Sequence, residues 1–249
     1  MKIKCFVVGP ILTNCYVVSC EQTREAIVID PGFTNEGDGG EVLHEIKKED
    51  IKVKYIVITH GHFDHTSGIR ILKKETGAKI LIHEKDAELL PEPWKGISEN
   101  ISRGEQLKCP ACGSSSVHFV VAADNKKASV KCDDCGMHIE LASSPSADIM
   151  LKDGDKIEFG NYKFQVIHTP GHSKGGISLY CKEENALFSG DTLFAGAIGR
   201  TDIFYSSYEE IMDSLKNKLL TLPDDTVVYP GHGDATTIGK ERRSNPYLV

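Results

Sequence analysis

Between Val53 and Gly68 the chain reads VKYIVITHGHFDHTSG, an apolar and largely β-branched run that stops in three histidines and an aspartate within six positions. The run has the make-up of a buried strand, and core packing gives no reason to crowd four metal-competent side chains at its end. His60 and His62, two residues apart, point the same way only in extended or turn geometry. Asp64 and His65 fall on the turn into a helix, where they face a neighbouring ion instead. A fold that accepts this segment must end a strand at a sheet edge and bring further ligands to it.

Three other β-runs stop in the same manner. YKFQVIHTPGHS ends in Gly171-His172, NALFSGDT in Gly190-Asp191 and TVVYPGHG in Gly231-His232. Strand exits in α/β folds gather at one edge of the sheet, where such folds keep their sites. His60, His62, His172, Asp64, His65, His232 and Asp191 then make seven donors. Seven exceeds the four ligands of one tetrahedral zinc and fits two adjacent ions that share a carboxylate and a water. The other histidines are set apart from them: His44 on a helix surface, His118 and His138 within a cysteine module, and His83 and His168 as outer partners of the ligands at most.

The surrounding pattern is α/β. Strand-like EAIVID, AKILIH and ISLYC alternate with amphipathic GEVLHEIKKE, SGIRILKKE and SSYEEIMDSLKNKLL, the last with Ser207 and Glu210 placed for a capping box. From Pro91 to Pro145 the alternation stops and Pro, Gly, Ser and Cys rise. The expected organisation is a main domain of residues 1–102 and 143–249, interrupted by a module at 103–142.

That module carries CPACG and CDDCG, so Cys109, Cys112, Cys132 and Cys135 form two C-x-x-C pairs nineteen residues apart, each followed by glycine. This is the spacing of a zinc ribbon holding one structural zinc, with VHFVVAA and ASVK as a hairpin between the knuckles. Cys5, Cys15, Cys20 and Cys181 lie scattered in strand-like stretches and read as small buried hydrophobes. A formal charge of −7, with five basic and five acidic side chains in the module, argues against nucleic acid as a partner. Pro10, Thr13 and Asn14 interrupt the N-terminal apolar run, no stretch reaches the length of a membrane span, and paired cysteines suit metal better than disulfides. A cytoplasmic protein is expected, with a small-molecule substrate and a ribbon that shapes substrate access or docks a protein partner.

The motif H-x-H-x-D-H, followed in order by TPGHSKGG, GDTLF and PGHG, resembles the metallo-β-lactamase superfamily over nearly the whole chain outside the insertion. GDTLFAGAIGRTD and the ending PGHGDATTIGKERRSNPYL make it similar to the small bacterial hydrolases related to glyoxalase II. The resemblance implies an αββα sandwich with metals at one sheet edge. It assigns His60, His62 and His172 to a first metal, Asp64, His65 and His232 to a second, and Asp191 to the bridge. It also places the insertion in a loop near the mouth of the site. Asp30, in DPG, either supports the site as in that family or closes a simple turn. Arg200 and Asp202, in GRTD, form a structural ion pair or contact substrate. Lys240, Arg242 and Arg243 read as a solvated end of the chain or a seat for an anionic tail.

The expected reaction is cleavage of a small thioester, or a related acyl compound, by a water that two zinc ions (or iron or manganese) acidify while polarising the carbonyl. Asp64 and Asp191 are the expected catalytic carboxylates, with Asp64 orienting that water. The chain stops seventeen residues after His232, short of the helical region that long glyoxalase II enzymes use for glutathione, which leaves the thiol open. Two other readings remain: a persulfide dioxygenase with one iron held by two histidines and an aspartate, and a nuclease that uses the same metal centre and holds RNA on its ribbon. The C-terminal ending favours the hydrolase over the first, and the acidic charge counts against the second.

Overall fold

The computed structural model describes residues 1–104, 106–109, 111–124, 127–203 and 205–249; positions 105, 110, 125 and 126 of the expected module lie outside the described residues. The first half runs β1 (Lys2–Val8), β2 (Thr13–Ser19), β3 (Glu25–Ile29), α1 (Gly40–Lys48), β4 (Lys52–Ile58), α2 (Phe63–Thr66), α3 (Ile69–Thr76), β5 (Lys79–His83) and α4 (Lys95–Ser102). Then come β6 (Val117–Val121), β7 (Lys127–Cys132), β8 (His138–Ala142), β9 (Ile149–Leu151), β10 (Lys156–Phe159), β11 (Tyr162–His168), β12 (Ile177–Cys181) and β13 (Ala186–Gly190). The chain closes with β14 (Leu193–Phe194), β15 (Ala197–Ile198), α5 (Tyr208–Asn217), β16 (Val227–Pro230), β17 (Thr236–Thr237) and α6 (Ile238–Ser244).

Two six-stranded sheets, β1-β2-β3-β4-β5-β9 and β10-β11-β12-β13-β16-β17, stack face to face. Alternation along the strands decides what each side chain joins. In β3, Ile27 and Ile29 enter the core between the sheets while Val28 turns outward. In β4, Val57 enters that core while Ile56 and Ile58 pack outward under α1 and α3, against Val42, Ile46, Ile69 and Leu72. The far face of the second sheet offers Tyr180, Leu187 and Val228 to Ile211 and Leu215 of α5 and Ile238 of α6. Both sheets are thus buried on both faces, which is why their central strands read as continuous apolar runs. The result is the αββα sandwich the resemblance implies.

Parallel pairing fixes the working edge. β3, β4 and β5 run parallel in one sheet and β13 and β16 in the other, so their carboxyl ends point one way. The sheets are stitched together at that end. Asn14 donates from its backbone to the Gly231 carbonyl at 2.7 Å, the Tyr16 hydroxyl donates to the Pro230 carbonyl at 2.6 Å, and the Ile177 amide donates to the Thr59 carbonyl at 2.9 Å.

The stretch Pro91–Pro145 differs from expectation in two places. A helix, α4, occupies part of it, and the hairpin β6–β7 gains a third antiparallel strand, β8. The capping box at α5 is half formed: the Glu210 amide donates to the Ser207 hydroxyl at 3.3 Å, while that hydroxyl turns to Glu209. No helix among the described residues is long and apolar enough to cross a membrane.

Phe188 is the centre of the inter-sheet core, 1% exposed, with ring centroids of Tyr16, Phe164 and Tyr229 at 5.1, 5.9 and 5.0 Å. Phe188→Ala is expected to cost about 3–5 kcal/mol in a denaturant titration, because the surrounding rings cannot collapse into the space.

Candidate metal centre

Every ligand of the sequence-derived set stands just past a strand end. β4 stops at Ile58 and delivers His60 and His62. His62 keeps extended backbone (φ −69°, ψ 147°), and the chain then coils at once into α2, so Asp64 and His65 lie in a first helical turn. The H-x-H-x-D-H spacing is therefore an extended pair followed by a helical pair. Asp191 follows β13, His232 follows β16, and His172 sits in the turn between β11 and β12.

The structure brings all seven together. The donor atoms of His60, His62 and His172 lie within 4.8 Å of one another, as do those of Asp64, His65 and His232. Asp191 stands between the two trios. Its Oδ1 is 3.4 Å from His65 Nε2, and its Oδ2 is 3.5 Å from His172 Nε2 and 3.6 Å from His232 Nε2. Asp64 Oδ2 is 3.2 Å from both His65 Nε2 and His232 Nε2. His60, His65 and Asp191 also satisfy the distance requirement of a metal group, so the two trios are adjacent. Gly231 permits this closeness: a Cβ there would lie 2.1 Å from Asp191 Oδ1 and 2.8 Å from His65 Cε1.

Outer hydrogen bonds set the tautomers. His172 Nδ1 lies 3.0 Å from the Arg200 carbonyl and His232 Nδ1 lies 3.2 Å from the Leu12 carbonyl. A carbonyl only accepts, so both Nδ1 atoms carry the proton and both Nε2 lone pairs face inward. His65 Nδ1 is held by Asp30 Oδ2 at 2.9 Å, which likewise turns Nε2 inward. His60 Nδ1 rests at 3.1 Å on the Thr59 hydroxyl, which itself donates to Asp30 Oδ2 at 2.7 Å. His62 is the exception: its Nδ1 faces inward, 3.0 Å from His172 Nε2.

The inward atoms lack what a dry site would demand. His60 Nε2, His65 Nε2 and Asp191 Oδ1 are buried with no hydrogen-bond partner among the described residues. Such orphaned atoms converging on one point fit a cation. The charge states agree. Burial, together with the neighbouring imidazoles, holds His60 well below its ordinary value and His62 down to about 3, so both are neutral ligands. Burial works to raise Asp64 and Asp191, but His65 and the other histidines outweigh it and keep both ionised. Burial likewise works to lower His65, and Asp64, Asp191 and Asp30 overcome it and raise its affinity for a proton. The carboxylates that would retain that proton would equally retain a metal ion.

Four supporting residues escaped the sequence reading. Asp86, fully buried, accepts from the Gly61 amide at 2.9 Å and the Gly175 amide at 2.6 Å, tying the loop of His60 and His62 to that of His172. Thr13 donates its hydroxyl to Asp64 Oδ2 at 3.2 Å, and Thr59 and the Leu12 carbonyl act as described. Asp86 follows a strand exit as the ligands do, and that position was its only signal. Asp30 takes the supporting alternative, with Thr59 donating to it from both backbone and side chain.

Other candidates stay outside. Arg200 and Asp202 pair with each other at 2.9 and 3.1 Å and are exposed; only the Arg200 backbone reaches a ligand. Arg242 is spent on Asp224 and on the Leu220 and Leu222 carbonyls, and Arg243 on Asp224. His83 and His168 stack on each other, ring centroids 4.2 Å apart, and His168 Nε2 lies 2.9 Å from the Lys174 carbonyl.

The four module cysteines form a second cluster, their sulfur atoms within 4.8 Å of one another. Cys109 and Cys135 are 3.6 Å apart and Cys112 and Cys132 are 3.7 Å apart. Thiolates bound tetrahedrally at about 2.3 Å sit about 3.8 Å from each other, so the set fits one ion. The two knuckles repeat one construction. Gly113 and Gly136, at φ 74° and 73°, donate to the carbonyls of Cys109 and Cys132, whose own amides donate to Ser114 and Met137.

Asp30→Ala removes the acceptor shared by Thr59 and His65. It is expected to weaken metal binding at the histidine centre about 10–100-fold, measured by competition with a chromophoric chelator, while the circular dichroism of the fold is retained.

Comparison with known proteins accounts for this architecture. A protein of Aquifex aeolicus is 36% identical over 99% of this chain and 97% of its own, and the hydroxyacylglutathione hydrolase GloC of Haemophilus influenzae is 30% identical over 100% and 98%. The crystal structure of the B3 metallo-beta-lactamase BLEG-1 superposes with a TM-score of 0.75 at 31% identity, covering 100% of both chains. The family model of the metallo-beta-lactamase superfamily matches residues 8–232, a span that holds all seven candidate ligands, and the chain belongs to that superfamily.

Proposed function

We propose that the protein is a metal-dependent hydrolase of small acyl thioesters, of the hydroxyacylglutathione kind. One observation carries this reading: two three-ligand groups lie side by side with the Asp191 carboxylate between them. A pair of divalent cations held there supplies a nucleophilic water at neutral pH and Lewis-acid polarisation of a carbonyl. Zinc is the ion proposed, since nitrogen and oxygen donors of this number suit it, with iron or manganese as the alternatives for the same shell.

The chain's own residues then position and exclude. Asp64, kept ionised and steered by the Thr13 hydroxyl, has a carboxylate oxygen free to orient the attacking water. The ligand N–H groups that hold protons are committed to Arg200, Leu12, Asp30 and Thr59. His62 alone keeps an N–H not so committed, on the Nε2 that faces away from the inward Nδ1, so no imidazole of the set offers a proton to a leaving amine inside the site. A thiolate, the conjugate base of a thiol with pKa about 8.5, leaves without such help, which favours a thioester over an amide. Full-length similarity to the Haemophilus hydrolase supports the same substrate class. The completeness of the second trio weighs for two ions over the single iron of a dioxygenase.

The proposal includes a hydrolase part of residues 1–102 and 143–249 and an inserted ribbon of residues 103–142 with its own structural zinc. Elemental analysis of protein purified without added metal is expected to give about three zinc ions per chain. Chelation is expected to abolish hydrolysis of S-D-lactoylglutathione, with zinc restoring it, and Asp64→Asn is expected to lower kcat about 100-fold or more. A loaded protein inert toward every thioester tried, or one iron per chain with oxygen uptake on glutathione persulfide, would overturn the reading.

A further inference from the structure

The inserted sheet β6-β7-β8 is apolar on one side only. Ala128, Val130, Ile139 and Leu141 alternate along β7 and β8 and are buried, while Lys127, Lys131, His138 and Glu140 face outward. Beside these four, Leu107, Val117, Phe119, Val121 and Met137 are only partly buried, and the set does not close a core of its own. They close instead over Trp94, Ile97, Ile11 and Phe63 of the main body. A module of this size with so little apolar burial depends on its ion to stay folded.

The places it touches are not arbitrary. Phe63 stands between His62 and Asp64 in the ligand motif. Ile11 precedes Leu12, whose carbonyl fixes His232, and Thr13, whose hydroxyl holds Asp64. Where the chain leaves the module, the Ser144 hydroxyl donates to the Thr66 carbonyl at 3.2 Å, directly after His65, and Arg70 donates to the Ser143 carbonyl. At the other end of the contact, Met137 links the apolar cluster to the cysteines: its sulfur is 3.8 Å from Cys109 Sγ and its carbonyl accepts from the Cys132 amide. A continuous chain of contacts thus joins the four thiols to the supports of Asp64 and His232 and to the carbonyl that follows His65. The other trio has supports that the ribbon does not touch, Thr59 under His60, the Arg200 carbonyl on His172 and Asp86 on Gly61; His62 alone shares the contacted segment, its carbonyl accepting from the Thr66 hydroxyl at 3.1 Å.

We propose that the ion held by the four cysteines controls occupancy of the second metal site. With the ribbon folded around its ion, the centre takes two metals; with the ribbon stripped, the centre keeps the first and loses the second. This rests on the two-metal reading above. Phe63, Ile11 and Ser144 act as positioning residues, because they reach the ion only through the backbone that carries its ligands.

The test compares stepwise zinc affinities, by chelator competition, in wild type, in Cys112→Ser/Cys135→Ser and in Ile11→Ala/Ser144→Ala. Visible spectra of cobalt-substituted protein distinguish the four-thiolate ion from those at the histidine centre. In both variants the second affinity of the histidine centre is expected to fall about tenfold or more while the first holds, and the Ile11/Ser144 variant is expected to retain its thiolate-bound cobalt. If the cysteine variant fails to fold, the Ile11/Ser144 variant decides. An unchanged second affinity there, or equal weakening of both sites, overturns the coupling. A wild-type histidine centre that binds one ion only overturns the two-metal reading, and the coupling falls with it.

Discussion

The carboxylate of Asp30 is the fixed point from which the metal centre is built. It sits at the exit of β3 with φ 51°, a left-handed backbone that turns its side chain toward the neighbouring strand exit. One oxygen takes the Thr59 amide, and the other takes the Thr59 hydroxyl and His65 Nδ1. Three donors on one buried carboxylate leave it little freedom. The orientation of His65, and through Thr59 that of His60, is settled before any ion arrives.

Asp86 repeats the device on the other flank, with backbone amides in place of side chains. A carboxylate accepting two buried amides holds two loops at a set separation, and removal of either partner would leave a polar group stranded in the interior. Burial raises the Asp86 pKa even against those hydrogen bonds. The scaffold therefore carries a cost at this position, offset by the geometry it imposes on His62 and His172.

The seven residues that the structure brings together were legible in the sequence as metal-competent side chains at the ends of apolar runs, five of them next to glycine. The sandwich followed from the same runs and from the resemblance of four ordered motifs. What stayed hidden was contributed by atoms with no compositional signature. The carbonyls of Leu12 and Arg200 exist at every residue, and only tertiary structure selects them. Thr13 reads as an interruption in an apolar stretch, and only its place after a strand exit marks Asp86. Helix α4 and strand β8 were missed for a related reason: they lie in a segment rich in Gly, Ser and Cys, where packing against Trp94 and the cysteine cluster, rather than periodicity, decides the conformation.

The sheet β6-β7-β8 lies in the chain between β5 and β9, which are parallel neighbours in one sheet. Parallel neighbours require a crossover in any case, so the ends of that connection are pinned by the sheet whatever it contains. Loop-closure entropy grows only with the logarithm of length, about 0.6 kcal/mol for each doubling. The host fold is therefore nearly indifferent to how much chain is threaded through this gap. A longer or shorter connection there would change the cost of folding little, while its contacts fall on the segment from Phe63 to Thr66 that holds Asp64 and His65.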